Sequence, residues 1–118
     1  MSPTILAKDG KLFMVTGAPG GRTIINTVLM TILHVVDFGM NAQEAVDAGR
    51  VHHQWLPDRL SMERYLFSAD TIAKLRAMGH TVTESNAQGV AEVIVVGKDG
   101  VFEGGVDGRQ ADGGAAGK

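Results

Sequence analysis

The chain has 118 residues, enough for one domain with a modest core, and its 44% hydrophobic and 20% charged residues are ordinary for a globular protein. A formal net charge of -2 with no Lys/Arg cluster excludes a general nucleic-acid or anionic-membrane partner. Cysteine is absent, which excludes a disulfide framework, a thiol nucleophile and a Cys-containing zinc site.

In chain order, Thr4 to Ala7 and Leu12 to Val15 are short strand patterns around Lys8-Asp9-Gly10, which predicts a hairpin. Lys8, Asp9 and Lys11 also interrupt these first residues, so they form no apolar core of a secretory signal. The second strand runs into Thr16-Gly17-Ala18-Pro19-Gly20-Gly21-Arg22-Thr23. Beyond it, Ile24 to Phe38 carries Ile24, Ile25, Val28, Leu29, Ile32, Leu33 and Val36 at helical spacing. That stretch falls short of the roughly twenty apolar residues a bilayer span needs and predicts a buried core helix.

A Gly-rich turn therefore feeds a helix N-terminus. The first N–H groups of a helix have no partner inside it and the macrodipole adds partial positive charge, so the point suits an anion or a developing oxyanion. Three readings compete. A phosphate loop needs four residues between its glycines and then Gly-Lys-Ser/Thr; here three residues separate Gly17 from Gly21, and Arg22 replaces Lys. Pro19-Gly20-Gly21 also suits a plain strand-to-helix turn. The third reading is an oxyanion hole made by adjacent backbone N–H groups, as acyl transfer needs.

Downstream, Asn41 with Glu44 predicts a capped short helix that Gly49 closes. Ser68 predicts the cap of a helix through Met78, with Ile72, Leu75 and Met78 on one stripe. Thr81 to Thr83 reads as a short strand and Ser85 to Gly89 as a polar loop. Val93 to Val96, Lys98-Asp99-Gly100 and Val101-Phe102 predict a second hairpin, whose near-continuous apolar strand should be covered on both faces. The Gly-rich segment 104–118 should be poorly ordered unless it docks on a partner surface. No linker divides the chain, so a single domain over 1–118 is expected.

The histidines do not make a site by themselves. His52 and His53 would point to opposite faces of a strand and have no third ligand nearby, so no metal is expected, and no cofactor either. His34 reads as a hydrogen-bonded core histidine, Trp55 and Pro57 as packing and turn residues, and Asp58 as a backbone cap. No Gly-x-Ser-x-Gly elbow is present.

Several blocks together resemble one family. They are Met1-Ser2-Pro3-Thr4, Val15 to Gly21, Asp37-Phe38-Gly39-Met40-Asn41, Glu44-Ala45, Arg50-Val51-His52-His53-Gln54-Trp55-Leu56-Pro57-Asp58 and Gly113-Gly114-Ala115-Ala116-Gly117. In this order they are similar to the C-terminal part of the small subunit of gamma-glutamyltranspeptidases. The resemblance implies a fold class of α/β (α+β), part of an N-terminal-nucleophile hydrolase sandwich, with a sheet from two hairpins packed on helices. It implies that Gly20 and Gly21 hold the tetrahedral oxyanion, while the nucleophilic Thr, whose own α-amino group acts as base, lies outside this chain. So does the Ser-Ser pair that grips the gamma-glutamyl group.

The resemblance further implies that the chain is a fragment, inactive alone. Its partners would be the large subunit and the N-terminal part of the small subunit of the same precursor, with a glutathione-like substrate and self-association through an exposed sheet. The parent's location stays open between periplasm, cell exterior and cytoplasm. Three departures from the family pattern stand out: Ala48-Gly49-Arg50 where the family has Ala-Pro-Arg, Asp107-Gly108-Arg109 where it has Asp-Pro-Arg, and Lys118 in place of a terminal aromatic residue. Acylases that act on cephalosporin side chains and depolymerases of poly-gamma-glutamate share the same framework. Alternatives of other classes are a stand-alone, non-catalytic subunit-binding domain and a small-anion-binding module at the Gly20 turn.

Overall fold

A computed structural model describes residues 2–117, so Met1, which opens the first block of the resemblance, and Lys118, its last departure, lie outside the described residues. The chain divides into two compact units, one built from the stretches up to Ala48 and from Gly89 onward, the other from Gly49–Gln88.

The first unit is a four-stranded antiparallel sheet in the order β1-β2-β6-β7, with β1 at Thr4–Lys8, β2 at Lys11–Gly17, β6 at Glu92–Val96 and β7 at Phe102–Val106. Both predicted hairpins are present. Asp9 (φ 53°) and Gly10 (φ 75°) form the first turn in the left-handed region, as a two-residue loop between twisted strands requires. The sheet's inner face carries Met14, Thr16, Val93 and Val95, all buried, with Leu6 packed beside them.

Two helices cover that face. Helix α1, Ile24–Val36, follows a 3-10 turn at Gly21–Thr23 and ends two residues before the predicted Phe38. Gly39 (φ 67°) reverses the chain there, and the N–H groups of Phe38 and Met40 close back on the carbonyls of Leu33 and His34. Helix α2, Ala42–Asp47, has the predicted capping box: the Asn41 side chain accepts from Glu44 N–H at 2.9 Å and Glu44 Oε2 accepts from Asn41 N–H at 2.9 Å. Its buried Ala42, Ala45 and Val46 sit against β7, where a side chain on Gly105 would collide with the Ala42 carbonyl.

Helix α1 is not the buried core helix its apolar content suggests. Its inward side is Thr27, Val28, Thr31, His34 and Val35, whereas Ile25 is 78% exposed and Leu29 and Val36 about half exposed. The threonines sit inside because their hydroxyls find partners locally; Thr31 Oγ1 donates to the Thr27 carbonyl at 2.9 Å. Strand β6 buries Val93 and Val95 on its inner face, while on its outer face a side chain on Gly104 of β7, paired with Ile94, would meet Ala115. On the outer face Ile5, Val15 and Ile94 stand in one cross-strand row, with Ile5 73% and Ile94 45% exposed.

The second unit holds β3 (Val51–His52), β4 (Leu60–Glu63) and β5 (Val82–Ser85), with β4 antiparallel to β3 and parallel to β5. Helix α3, Ala69–Ala77, makes the crossover between the parallel strands and starts at Ser68, whose hydroxyl accepts from Thr71 N–H at 3.2 Å. Its stripe is shallow: Ile72 and Leu75 are half-buried and Met78 is exposed. Gly49 does not close α2 through a left-handed cap. Its α-carbon packs against Leu66 and Phe67, leaving no room for a side chain, and α2 ends through Ala48 N–H on the Glu44 carbonyl.

A buried polar hub holds this unit together. The Glu63 carboxylate, 4% exposed, accepts the backbone N–H of Arg50 at 2.9 Å and of Gln88 at 2.6 Å. Arg50 Nη1 donates to the Gln88 carbonyl at 3.1 Å, and the Gln88 amide donates to Ser85 Oγ at 2.7 Å. The expected polar loop at 85–89 is therefore anchored through Gln88. The start of the Gly-rich end, 104–106, enters the sheet through β7, and buried Asp107 accepts from Ala91 N–H at 2.6 Å and Arg109 N–H at 3.0 Å, while 113–117 have no regular secondary structure. Arg109 in turn donates to the carbonyls of Val46 at 2.6 Å and Ala48 at 3.0 Å, covering the C-terminal end of α2.

Candidate functional site: the Gly20-Gly21 turn

Strand β2 delivers the chain to the turn from a buried position. Thr16, Gly17 and Ala18 are all buried, and Thr16 Oγ1 donates to the Glu92 carbonyl at 2.9 Å, which ties the end of β2 to β6. The chain then emerges: Pro19, Gly20, Gly21 and Arg22 are exposed.

Gly20 has φ 141° and Gly21 φ 60°, conformations that side chains disfavour, so both glycines are required by the backbone path. The Gly20 carbonyl is held from the far side, accepting from Thr23 N–H at 3.3 Å and Thr23 Oγ1 at 2.9 Å. Among the described residues no acceptor takes the N–H of Gly20 or Gly21. Two consecutive amide donors thus lie at the surface at the start of α1, where unpaired N–H groups and the helix dipole favour negative charge.

Most of the other residues that sequence reading singled out pair with neighbours in the chain. His34 is buried and its Nδ1 lies 3.1 Å from the Ala45 carbonyl, fixing α1 to α2 as expected of a core histidine. His52 Nε2 pairs with Gln54 Oε1 at 2.9 Å, and His53 Nε2 pairs with Asp58 Oδ1 at 3.0 Å, so Asp58 takes a side chain and not a backbone cap. Among the described residues no three of His, Cys, Asp and Glu converge on one point. Trp55 packs on little; it is 76% exposed with φ 70°.

Sequence reading missed the partner of the turn. A Cβ placed on Gly20 would lie 3.1 Å from the α-carbon of Gly89, a residue 69 positions later in the numbering that ends a polar loop. Nothing in the local pattern Gln88-Gly89-Val90 marks that approach.

Comparison with known proteins places the chain in a family. The gamma-glutamyltranspeptidase family model matches residues 1–117. The chain is 49% identical over 112 residues to the glutathione hydrolase proenzyme of Escherichia coli, covering 95% of this chain and 19% of that protein. Among solved structures it is similar to a substituted Helicobacter pylori gamma-glutamyltranspeptidase, with 43% identity and a TM-score of 0.88 over 93% of this chain and 61% of that one. It is also similar to the gamma-glutamyltranspeptidase of Pseudomonas nitroreducens, with 33% identity and a TM-score of 0.87 over 100% of this chain and 62% of that one. The chain thus spans about a fifth of the Escherichia coli relative's length, and its mixed sheet-and-helix fold is that of N-terminal-nucleophile hydrolases. By sequence and by fold, the chain belongs to the gamma-glutamyltranspeptidase family.

Proposed function

We propose that this chain works as one domain, the C-terminal portion of the small subunit of a gamma-glutamyl-transferring hydrolase, and supplies its oxyanion-binding turn. The observation that carries this reading is the exposed Gly20-Gly21 pair, with two amide donors that no acceptor among the described residues uses. In the proposed reaction an N-terminal Thr from outside this chain attacks the gamma-carbonyl of glutathione or a similar amide, its α-amino group taking the hydroxyl proton. Negative charge then grows on the carbonyl oxygen, and the Gly20 and Gly21 N–H groups meet it. The amine leaves, and water or an amino acid accepts the gamma-glutamyl group.

A second observation supports the rest of a precursor as partner. The outer sheet face (Ile5, Ile94, Phe102) and the outer side of α1 (Ile25, Leu29, Val36) both expose apolar residues, and the cross-strand row of Ile5, Val15 and Ile94 suits a contact with another part of a precursor.

Two measurements test the reading. The 118-residue chain should release no p-nitroaniline from gamma-glutamyl p-nitroanilide, since donors without a nucleophile have nothing to stabilise. In the full-length product of the gene, Gly20→Ala should lower kcat by about a hundredfold or more, the usual loss when an oxyanion donor is displaced. Turnover by the chain alone, or an unchanged kcat in the variant, overturns it.

A further inference from the structure

We infer that Gly89 and Thr27 are positioning residues for the Gly20-Gly21 turn, acting through backbone contact and not through substrate. The inference rests on the oxyanion reading and adds to it the device that sets where the donors point.

The device is a stack of three layers inside the first unit. At the top, Gly20 is bracketed: a Cβ there would lie 3.0 Å from Thr23 Oγ1 and 3.1 Å from Gly89 Cα. In the middle, Gly89 has φ 67°, and a Cβ on it would lie 2.5 Å from Thr27 Oγ1 and 3.3 Å from both Thr27 Cβ and Cγ2. At the bottom, Thr27 is 1% exposed on the inner side of α1, where its carbonyl accepts from Thr31 Oγ1 at 2.9 Å. Gly20 therefore rests on the bare α-carbon of Gly89, and Gly89 rests on a side chain that cannot yield, because Thr27 is β-branched and enclosed.

The chemistry depends on this height. Oxyanion donors work when they already stand about 3 Å from the place the charge will form, and a displacement of about 1 Å can cost on the order of a hundredfold in rate. Any side chain on Gly89 has to move Thr27 below it or Gly20 above it. With α1 held by its hydrogen bonds and the turn exposed on its other side, Gly20 is the part that moves.

The test uses the full-length product of the gene that encodes this chain, with gamma-glutamyl p-nitroanilide as the probe. Gly89→Ala is expected to lower kcat at least about tenfold with KM within about threefold, because substrate binds elsewhere and only the transition state loses its donors. Adding Thr27→Ala removes Oγ1 and Cγ2 from beneath the new methyl, and the double variant should regain part of the lost kcat, the strain of a side chain at φ 67° remaining. A merely structural role would lower the yield of folded enzyme and leave kcat per folded molecule unchanged.

Should Gly89→Ala fail to fold, the pair Thr27→Ser and Thr27→Val takes its place. Serine keeps the hydroxyl and should keep kcat, whereas valine puts a larger methyl under Gly89 and should lower kcat with KM held. Unchanged kcat in Gly89→Ala, no recovery in the double variant, or equal kcat in the two Thr27 variants overturns the inference. Gly20→Ala separates the layers of the argument. If it keeps full kcat the oxyanion reading itself falls, and if it loses kcat while Gly89→Ala does not, only the positioning inference falls.

Discussion

The side-chain amide of Gln43 pairs with both backbone groups of Val106, donating to its carbonyl at 2.8 Å and accepting its N–H at 3.0 Å. Because β7 is an edge strand, Gln43 stands where the next strand's backbone would be and blunts one position of that edge. Gln43→Ala should lower the unfolding free energy of the chain by about 1 kcal/mol, since both groups are exposed and water replaces much of what is lost. Urea unfolding checks this: the midpoint should fall with the slope unchanged. An unchanged midpoint means that the edge is held by α2 packing alone.

Glu63 is the more costly residue to remove. Its two carboxylate oxygens serve the buried N–H groups of Arg50 and Gln88, and neither donor has water to fall back on. Glu63→Ala should destabilise the chain by about 3 kcal/mol, the sum expected for leaving two buried backbone donors without their acceptor. Glu63→Gln, which retains one acceptor oxygen, should cost less. Denaturation midpoints in the order wild type, Gln, Ala are expected, and an Ala variant as stable as wild type would falsify the hub.

Gly49 offers a test of close packing. A Cβ on it would lie 2.8 Å from Leu66 Cβ and 2.9 Å from Phe67 Cζ. Gly49→Ala should therefore destabilise by about 1 to 3 kcal/mol through overpacking, although alanine would otherwise be favoured over glycine for chain entropy. Pairing it with Leu66→Ala cannot relieve the Leu66 Cβ contact, so the double variant should be no more stable. Recovery in the double variant would show that the clash is with the rest of the leucine side chain.

The outer sheet face should make the isolated chain associate with itself. Ile5 and Ile94 share a row with Val15 there, and Phe102 adds to the same face from β7. Sedimentation velocity should show an average mass that rises with concentration. Ile5→Lys with Ile94→Lys should return the chain to a monomer at little cost in stability, because neither side chain contributes to the inner core. A wild-type monomer at all concentrations would count against the face as an interface.

Local signals wrote much of this fold into the sequence. Asp9-Gly10 and Asp99-Gly100 mark hairpins because Asp9, Gly10 and Gly100 stand where left-handed backbone is needed, and the Asn41 and Ser68 caps are visible because a short polar side chain next to a helix start has one common use. The Gly20-Gly21 turn was legible for the same reason. What escaped reading is non-local. No local pattern marks Glu63, Asp107 and Arg109 as buried or nearly so, because the groups they bond, Gln88 N–H, Ala91 N–H and the Val46 carbonyl, lie 25, 16 and 63 positions away. Strand β4 hides in Leu60-Ser61-Met62-Glu63, whose inward Glu63 breaks the apolar pattern. Gly49 reads as a helix-closing glycine and Gly89 as a loop glycine, but both are sites where another group leaves no space.

The sheet of the first unit also sets an order of assembly on the ribosome. Thr16 bonds to the Glu92 carbonyl across 76 positions, so β2 is made long before β6, its neighbour on the α2-covered side of the sheet. While residues 49–88 are being synthesised, the first hairpin and α1 have no β6 to complete their sheet, whereas the β3-β4-β5 unit has all its strands before β6 emerges. The early segment thus spends part of every round of translation with an open strand edge and bare apolar surface. Its exposure to chaperones and to misassociation is greatest in that interval, and codons that slow translation across 49–88 would lengthen it.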